Sequence, residues 1–278
     1  FATMAEWLEP AKVQYAGSAH YLDHIEAINL TAEQQAFIKE IPDPYFRASV
    51  WDFMVNQQFR RDYWVKGARR LNALDQAEAL RQQRVMLVVP RVDVPLKVTG
   101  AVGEATLTDA IYNPLLDSLA DHKPKTVGQL EAAVRDQGIT FAQVLQAVMV
   151  LTGAGHLVPV QDDTTINKVQ KSCSKLNTHL IQQARGSSDI SYLTSPLTGG
   201  GITVGRFPQL FLLARSQGHK QPADWAQVVW QLLAAQGQRI IKDGQTLDSA
   251  EANLAELTAQ AQTFADKQLP ILKALQIA

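Results

Sequence analysis

The chain has 278 residues, 46% of them hydrophobic and 19% charged, which is enough apolar material for two packed domains and excludes a disordered chain or a coiled coil. Its 26 Lys and Arg residues nearly balance its 27 Asp and Glu residues, giving a formal net charge of −1. No overall positive field therefore exists to attract nucleic acid or an anionic membrane. The lone cysteine, Cys173, excludes an internal disulfide and is typical of a cytoplasmic protein.

Residues 1–58 are predicted as short helices around one strand. Residues 1–8 have the pattern of the middle of a helix, so we expect the chain to be a fragment of a longer polypeptide. A strand follows at 12–18, and its partner is not evident in the sequence. Thr31 with Gln34 forms a capping-box pattern that begins one helix, and a second helix begins near Pro44. The apolar positions of this second helix recur at helical spacing and predict one apolar face: Phe46, Val50, Phe53 and Met54.

The rest of the chain divides into three predicted regions. Residues 61–107 contain strands at 61–66 and 85–89, a helix at 72–82 and a hairpin at 96–107. Residues 108–163 contain three helices, the last two beginning with capping boxes at Thr126 and Thr140, and then a strand at 156–160, which is the pattern of a winged helix. Residues 164–278 are mostly helical. We therefore predict an α+β, mostly helical fold, with a small α/β dimerisation-type domain, a winged-helix-like domain and a C-terminal helical region.

Glycine-rich turns are the first candidates for a cofactor site. A nucleotide cofactor of the Rossmann type needs a strand, a Gly-rich turn and an acidic residue for the ribose. The dense glycine cluster of the chain is Gly199, Gly200 and Gly201, and Val204 stands where the fingerprint needs another glycine. We interpret this cluster, with Thr198, as a flexible turn, and a functional loop that touches a ligand or partner is the alternative.

Histidine and cysteine offer few candidates for metal binding or nucleophilic catalysis. His20 and His24 are four residues apart, as two metal ligands on one helix face are, but no third ligand has a distinctive spacing. We interpret both as surface residues. Cys173 has no clear basic neighbour that makes it a thiolate, and we interpret it as inert. We therefore predict neither a metal site nor a catalytic residue in this chain.

The predicted winged helix suggests a DNA-binding transcriptional regulator as an alternative function. Helices that read DNA carry Arg, Lys, Asn or Gln toward bases and phosphates. Residues 139–152 contain no Lys or Arg, and Gln143 and Gln146 are the residues left to read a base. A structural or dimerisation role for this unit is therefore favoured.

A basic and aromatic segment at 59–70 is the candidate protein interface. Arginine and aromatic side chains are enriched at the energetic centres of protein interfaces. On the predicted strand, alternation places Arg61, Tyr63 and Val65 on one face and Trp64 on the other. The alternative is a half-buried strand with solvated charges. The candidate interface residues are Phe59, Arg60, Arg61, Tyr63 and Trp64.

Two motifs carry a family resemblance. The run Tyr15-Ala-Gly-Ser-Ala-His20 and the run from Asn56 to Gly67, with its Asn-Gln-Gln-Phe-Arg-Arg-Asp sequence, resemble the methyltransferase regulatory domain. This domain follows a class I S-adenosylmethionine-dependent methyltransferase core in bacterial proteins. The run from Ser195 to Ile202 is similar to the C-terminal part of the same proteins. The layout is also similar to that of the non-catalytic domains of rickettsial protein lysine methyltransferases.

The resemblance implies a domain division and a function. Residues 1–30 would be the tail of the methyltransferase core, 31–107 the regulatory or dimerisation domain, 108–163 the winged-helix-like domain and 164–278 the C-terminal helical domain. The chain would be a non-catalytic region for regulation, dimerisation and substrate positioning, inactive alone. No cofactor is expected in it, because S-adenosylmethionine would bind the upstream core.

The partners follow from the same resemblance. A methyltransferase catalytic core, in cis or in trans, is the first expected partner, and a protein substrate and a second copy of the chain are the other candidates. Neither nucleic acid nor a membrane is expected. Two further alternatives stay open: a complete methyltransferase of which this is a piece, and a ligand-sensing domain that uses the loop at 199–201.

Overall fold

The computed structural model describes all 278 residues and divides into two compact units, Phe1–Pro159 (unit 1) and Val160–Ala278 (unit 2). Both units combine helices with short strands, which confirms the predicted α+β, mostly helical fold. None of the helices is both long enough and apolar enough to span a bilayer. The finer division into four domains stays a prediction.

Unit 1 contains eight helices and seven strands. Its helices are α1 (Ala2–Leu8), α2 (Glu26–Asn29), α3 (Ala32–Glu40), α4 (Pro44–Met54), α5 (Ala73–Arg81), α6 (Asp109–Leu119), α7 (Val127–Val134) and α8 (Phe141–Gly153). Its strands are β1 (Val13–Ser18), β2 (Asp62–Lys66), β3 (Arg84–Leu87), β4 (Lys97–Gly100), β5 (Gly103–Thr106), β6 (Lys125–Thr126) and β7 (Leu157–Val160).

The strand β1, for which the sequence offers no evident partner, pairs with β2. The pairing is antiparallel and joins Val13 to Lys66 and Ser18 to Asp62, with an irregularity between Tyr15 and Gly17. No hairpin turn marks this pair in the sequence, because 43 residues and three helices separate the two strands. Residues that the sequence analysis placed in two domains, on either side of residue 30, therefore share one sheet.

The helices of residues 109–153 begin where their caps predict. Thr126 and Thr140 each accept a hydrogen bond from the backbone of the glutamine three residues later, and each glutamine side chain bonds back to the threonine backbone. This reciprocal arrangement satisfies donors that a helix start leaves open. The strands β6, β3 and β7 form a three-stranded sheet in that order, and β4 and β5 form the expected hairpin. The winged-helix identity of this region stays a prediction.

Two apolar clusters hold unit 1 together. The larger cluster consists mainly of residues from α6, α7, α8 and β3. Its most buried members, each at most 1% exposed, include Leu87, Leu116, Leu130, Val144 and Leu157. Burying one such leucine contributes about 2 kcal/mol of transfer free energy. The smaller cluster lies in residues 30–55 and consists of Leu30, Ile38 and Ile41 with partly buried residues of α4.

Unit 2 contains five helices and two hairpins. Its helices are α9 (Asp163–Gln183), α10 (Arg206–Ser216), α11 (Pro222–Ala235), α12 (Ala250–Thr263) and α13 (Leu269–Ala274). Its hairpins are β8 (Tyr192–Ser195) with β9 (Gly200–Thr203), and β10 (Ile241–Lys242) with β11 (Gln245–Thr246). A π-helical turn, Phe264–Gln268, joins α12 to α13. The rings of Phe211 and Trp225 pack on Phe264 at centroid distances of 5.6 and 6.1 Å.

Candidate functional site

Arg60 forms hydrogen bonds with three elements of the first 66 residues. Its guanidinium donates to both carboxylate oxygens of Asp62, at 2.7 and 3.1 Å, and to Asp52 of α4. It also donates to the hydroxyl of Tyr15 on β1 at 3.1 Å. One planar side chain therefore ties the end of α4 to both strands of the β1–β2 sheet, in the forked geometry that arginine offers and lysine does not.

The electrostatics of this cluster keep Arg60 charged. Burial lowers the pKa of the guanidinium, but the hydrogen bonds and charges of Asp62 and Asp52 outweigh burial and raise that pKa. Burial raises the pKa of the neighbouring Tyr15 hydroxyl, which the charge of Arg60 partly offsets. The cluster is thus a salt-bridge network with a neutral phenol at its edge, and it offers no general base to catalysis.

A cavity of about 240 Å³ lies beside this network, between β1 and α4. Tyr15, Trp51, Asp52 and Arg60 line it. The irregularity in β1 next to it leaves Gly17 facing His24, and a Cβ on Gly17 would lie 3.3 Å from the imidazole carbon Cε1. Arg60, Asp52 and Tyr15, which line the cavity, already bond to one another. The cavity is therefore better described as a gap between packed elements than as a catalytic pocket with free polar groups.

The outer surface of residues 1–66 is rich in aromatic side chains. Of nine exposed aromatic side chains in the chain, eight belong to this segment: Trp7, Tyr21, Phe37, Tyr45, Phe46, Phe53, Phe59 and Tyr63, with Tyr192 as the ninth. Phe53 is 86% exposed and Phe59 is 89% exposed. Exposed apolar side chains that gather into a patch mark interaction surfaces, and this segment is the part of the chain in which exposed aromatic side chains concentrate.

The helix α4 departs from its predicted apolar face. Val50 and Met54 pack against the cluster of Leu30, Ile38 and Ile41, whereas Phe46 and Phe53 are exposed, and no residue of α4 is fully buried. Residues seven apart lie about 20° apart on a helix, so Phe46 and Phe53 share one edge of the apolar stripe. The helical spacing grouped both with Val50 and Met54 on one apolar face, and it does not distinguish the exposed edge of that face from its covered part.

The five predicted interface residues separate into two groups. Phe59, Arg61 and Tyr63 are exposed, as the alternation of β2 predicted, with Tyr63 62% exposed. Arg60 and Trp64 face inward, and the ring of Trp64 packs edge-on against Tyr15 with centroids 5.7 Å apart. The exposed group therefore adjoins the Arg60 network on the opposite side of β2.

The predicted glycine loop is the turn of the β8–β9 hairpin. Gly199 has φ +67°, and its N–H donates to the carbonyl of Ser195 across the turn. The Thr198 hydroxyl accepts from the N–H of Gly200 at 3.3 Å, and Gly201 pairs with Thr194. A turn between two antiparallel strands is not the strand-to-helix turn that holds a nucleotide.

S-adenosylmethionine does not fit the residues of this chain. Class I methyltransferases build their cofactor site at the edge of a large, mostly parallel sheet, and no sheet here has more than three strands. The glycine cluster lies in a hairpin, as described above.

The histidines near β1 bond to separate partners. The His20 ring contacts Asp23 at 3.1 Å, and the His24 ring donates from Nε2 to the carbonyl oxygen of Ser18 at 2.8 Å. Across the structure, no three His, Cys, Asp or Glu side chains are placed to hold a metal ion together.

The helix α8 presents little that reads DNA. Gln143 uses its side chain in the capping box with Thr140, which leaves Gln146 of the two glutamines considered. Near its end, Gly153 lies so close to Leu22 that a Cβ would meet the leucine Cγ at 2.7 Å. Residues 21–24 thus cover part of α8, and the DNA-binding alternative gains no support from this helix.

The family match covers the segment that ends with β2. Residues 1–66 match the family described as the predicted methyltransferase regulatory domain. This segment contains β1, β2, the Arg60 network and eight of the exposed aromatic side chains. Over its whole length, the chain is 37% identical to an uncharacterized protein of Synechocystis sp., of which it covers 54%.

Two solved structures share the fold. A structure of PKMT2 from Rickettsia typhi in complex with AdoHcy matches all of this chain with a TM-score of 0.56 and 12% identity, and 58% of that chain is covered. A second structure of PKMT2 from Rickettsia typhi matches with a TM-score of 0.54 and 13% identity, and 57% of it is covered. The chain thus spans just over half the length of these three matched chains.

Residues 1–66 match the methyltransferase regulatory domain, which confirms the resemblance seen in the runs at Tyr15 and Asn56. The family match, the relative and the shared fold together support a role related to methyltransferases.

Proposed function

We propose that this chain is the non-catalytic region for regulation and substrate positioning of an S-adenosylmethionine-dependent methyltransferase, and that residues 1–66 dock onto the catalytic core. The observation that carries the proposal is the concentration of eight exposed aromatic side chains within the segment that matches the regulatory domain. Aromatic side chains bring large contact areas at low entropic cost, and they dominate the energetics of protein interfaces.

The missing length of the matched proteins supports a core outside this chain. The Rickettsia typhi protein binds AdoHcy, the product that S-adenosylmethionine becomes on methyl transfer, and a large part of that protein has no counterpart here. The present chain offers no site for such a cofactor. A division of labour, with cofactor chemistry in one part and docking in the other, agrees with both observations. The substrate class that we propose is protein, with lysine side chains among the groups that accept the methyl group.

The docking test uses the Synechocystis relative as the source of a core. The chain is mixed with the part of that relative outside the match, and binding is measured by calorimetry. We expect a Kd of roughly 1 μM or tighter, and the double change Phe46→Ser and Phe53→Ser should weaken it at least about 30-fold, since two interface aromatics contribute about 1 kcal/mol or more each. Serine and phenylalanine have similar helix propensities, so α4 should stay folded.

Two controls make this experiment decisive. Tyr192→Ser removes an aromatic side chain that is 56% exposed in unit 2, and it should leave the affinity unchanged. The matching half of the Synechocystis relative should bind its own other half, which shows that the separated core is competent. If the relative's halves bind and this chain does not, or if the chain buries Phe46 and Phe53 in a homodimer instead, docking onto the core is wrong.

Titration with S-adenosylmethionine tests the non-catalytic assignment. At chain concentrations of roughly 50 μM, calorimetry detects micromolar binding, and we expect no heat from the chain alone because it lacks the large sheet and strand-to-helix turn that hold the cofactor. Heat from S-adenosylmethionine binding should be detected once the catalytic core is added to the chain. One-to-one binding by the isolated chain would contradict the proposed division of labour.

A further inference from the structure

A groove of about 680 Å³ lies in unit 2, between α9, α13 and the turn that joins α10 to α11. One wall is a single face of α9, whose residues stand at positions i, i+3, i+4 and i+7: Ser174, Asn177, Thr178 and Ile181. The floor is apolar and includes Leu212, Leu269, Ile277 and Trp225. The volume falls within the range of small-molecule sites, about 300–1,000 Å³.

Every charged side chain that lines this groove is a cation. Arg215, Lys220 and Lys273 line it, and none of them makes an ion pair with an aspartate or glutamate. His219 also lines the groove, and so does Ala278, the last residue of the sequence, which carries a backbone carboxylate. Three cationic side chains therefore outnumber this one anionic group, and a cationic excess over an apolar floor matches a ligand with an anionic head and an apolar body.

The turn that carries two of these side chains is held in place by the protein itself. The indole N–H of Trp225, which is 3% exposed, donates to the carbonyl of His219 at 2.8 Å. Gly218 has φ +99°, a conformation that favours glycine. The backbone of the turn that carries His219 and Lys220 is therefore held before any ligand binds, which lowers the entropic cost of ordering this turn.

Helix ends do not explain all three cations. Arg215 and Lys273 lie in the last turns of α10 and α13, where positive charge is favourable. Lys220 instead precedes Gln221, the N-cap of α11, where positive charge is unfavourable. Asp224 in the first turn of α11 bonds to the backbone of Gln221 and does not line the groove. An anion between the three cations would remove this unfavourable charge arrangement.

We propose that the groove binds a small anionic amphiphile, whose carboxylate or phosphate head contacts Arg215, Lys220 and Lys273 while its apolar body covers Leu212, Leu269 and Ile277. The proposal concerns unit 2 alone and does not depend on docking by residues 1–66. It gives the chain a ligand that a regulatory region could sense.

The test compares probes of equal chain length by calorimetry with the full chain. Octyl phosphate and octanoate carry the two candidate heads, 1-octanol lacks the charge and inorganic phosphate lacks the apolar body. We expect at least one of the first two to bind at one site with a Kd of about 10–100 μM, and 1-octanol and phosphate to bind at least about tenfold more weakly.

Variants locate the site. Arg215→Gln and Lys273→Gln should each weaken the bound amphiphile about five- to tenfold, while Lys168→Gln, an exposed cation of α9 outside the groove, should change it less than about twofold. Lys273 is exposed, so its variant should fold even if Arg215→Gln does not. Equal affinity for 1-octanol, equal effects of all three variants, or binding of an acidic peptide but of neither amphiphile would overturn the proposal.

Discussion

Replacing Gly100 by alanine should unfold the joint between α2 and the β4–β5 hairpin. A Cβ on Gly100 would lie 2.0 Å from the carbonyl oxygen of Ile28 and 2.7 Å from its carbonyl carbon. That oxygen also accepts a hydrogen bond from Val102 at 3.2 Å, and Asn29 accepts one from Ala101 at 3.1 Å. Because the obstacle is backbone, it cannot rotate away, and we expect a loss of at least about 3 kcal/mol in the free energy of unfolding.

Amide hydrogen exchange is the measurement that suits this prediction. The two units need not unfold together, so a single midpoint does not define one free energy, whereas exchange reports each segment. Protection should fall across residues 97–106 in Gly100→Ala and stay unchanged in β8 and β9. Gly103→Ala is the control for backbone strain without a steric clash: it lies in the same hairpin at φ +115° with open space around it, and its strain should cost about 1–3 kcal/mol. A smaller loss at Gly100 than at Gly103 would refute the steric argument.

Local signals in the sequence predicted local structure well. The capping pairs at Thr31, Thr126 and Thr140 mark helix starts, and all three form the reciprocal bonds expected of them. Asp43 accepts from the backbone N–H of Phe46 and begins α4. Each cap joins two residues that are three positions apart, through bonds between a side chain and the backbone, so a short stretch of sequence contains the whole interaction.

Contacts between distant residues could not be predicted in the same way. The pairing of β1 with β2 joins segments separated by three helices. The sequence of neither strand indicates which other strand it pairs with. The tie is supplied by Arg60, which bonds Asp52, Asp62 and Tyr15 together. In the sequence Arg60 was one cation within a basic patch, and only the structure separates it from Arg61, which points outward.

The periodicity of the sequence also could not predict which apolar side chains are exposed. An apolar stripe predicts a face that is covered, but it does not say by what. Val50 and Met54 are covered by residues of this chain, whereas Phe46 and Phe53 are not. The buried centre of a protein interface is apolar like a protein interior, so periodicity alone cannot tell an apolar side chain that a partner covers from one that the core covers.

Loss of the Arg60 guanidinium should destabilise residues 1–66 more than any exposed substitution in that segment. Arg60→Met keeps most of the apolar stem and removes the cation shared by Asp52 and Asp62, whose side chains are 17% and 10% exposed. The N-terminal ammonium of Phe1 stays 3.8 Å from Asp52, whereas Asp62 loses its cation. An uncompensated carboxylate of this burial should cost about 2–3 kcal/mol. The measurement is amide exchange in β1 and β2, where protection should fall while the hairpin β8–β9 is unaffected.

Two further variants separate the charge from the geometry. Adding Asp62→Asn to Arg60→Met removes one stranded carboxylate and should restore part of the lost protection, which a mere loss of packing would not allow. Arg60→Lys keeps the charge but cannot reach Asp52, Asp62 and Tyr15 together, so it should lie between the wild type and Arg60→Met. Since Phe59, Arg61 and Tyr63 flank this network on the outer side of β2, Arg60→Met should also weaken docking of the catalytic core. Normal docking by a chain whose β1–β2 sheet exchanges freely would show that the exposed aromatic side chains act without the support of the sheet.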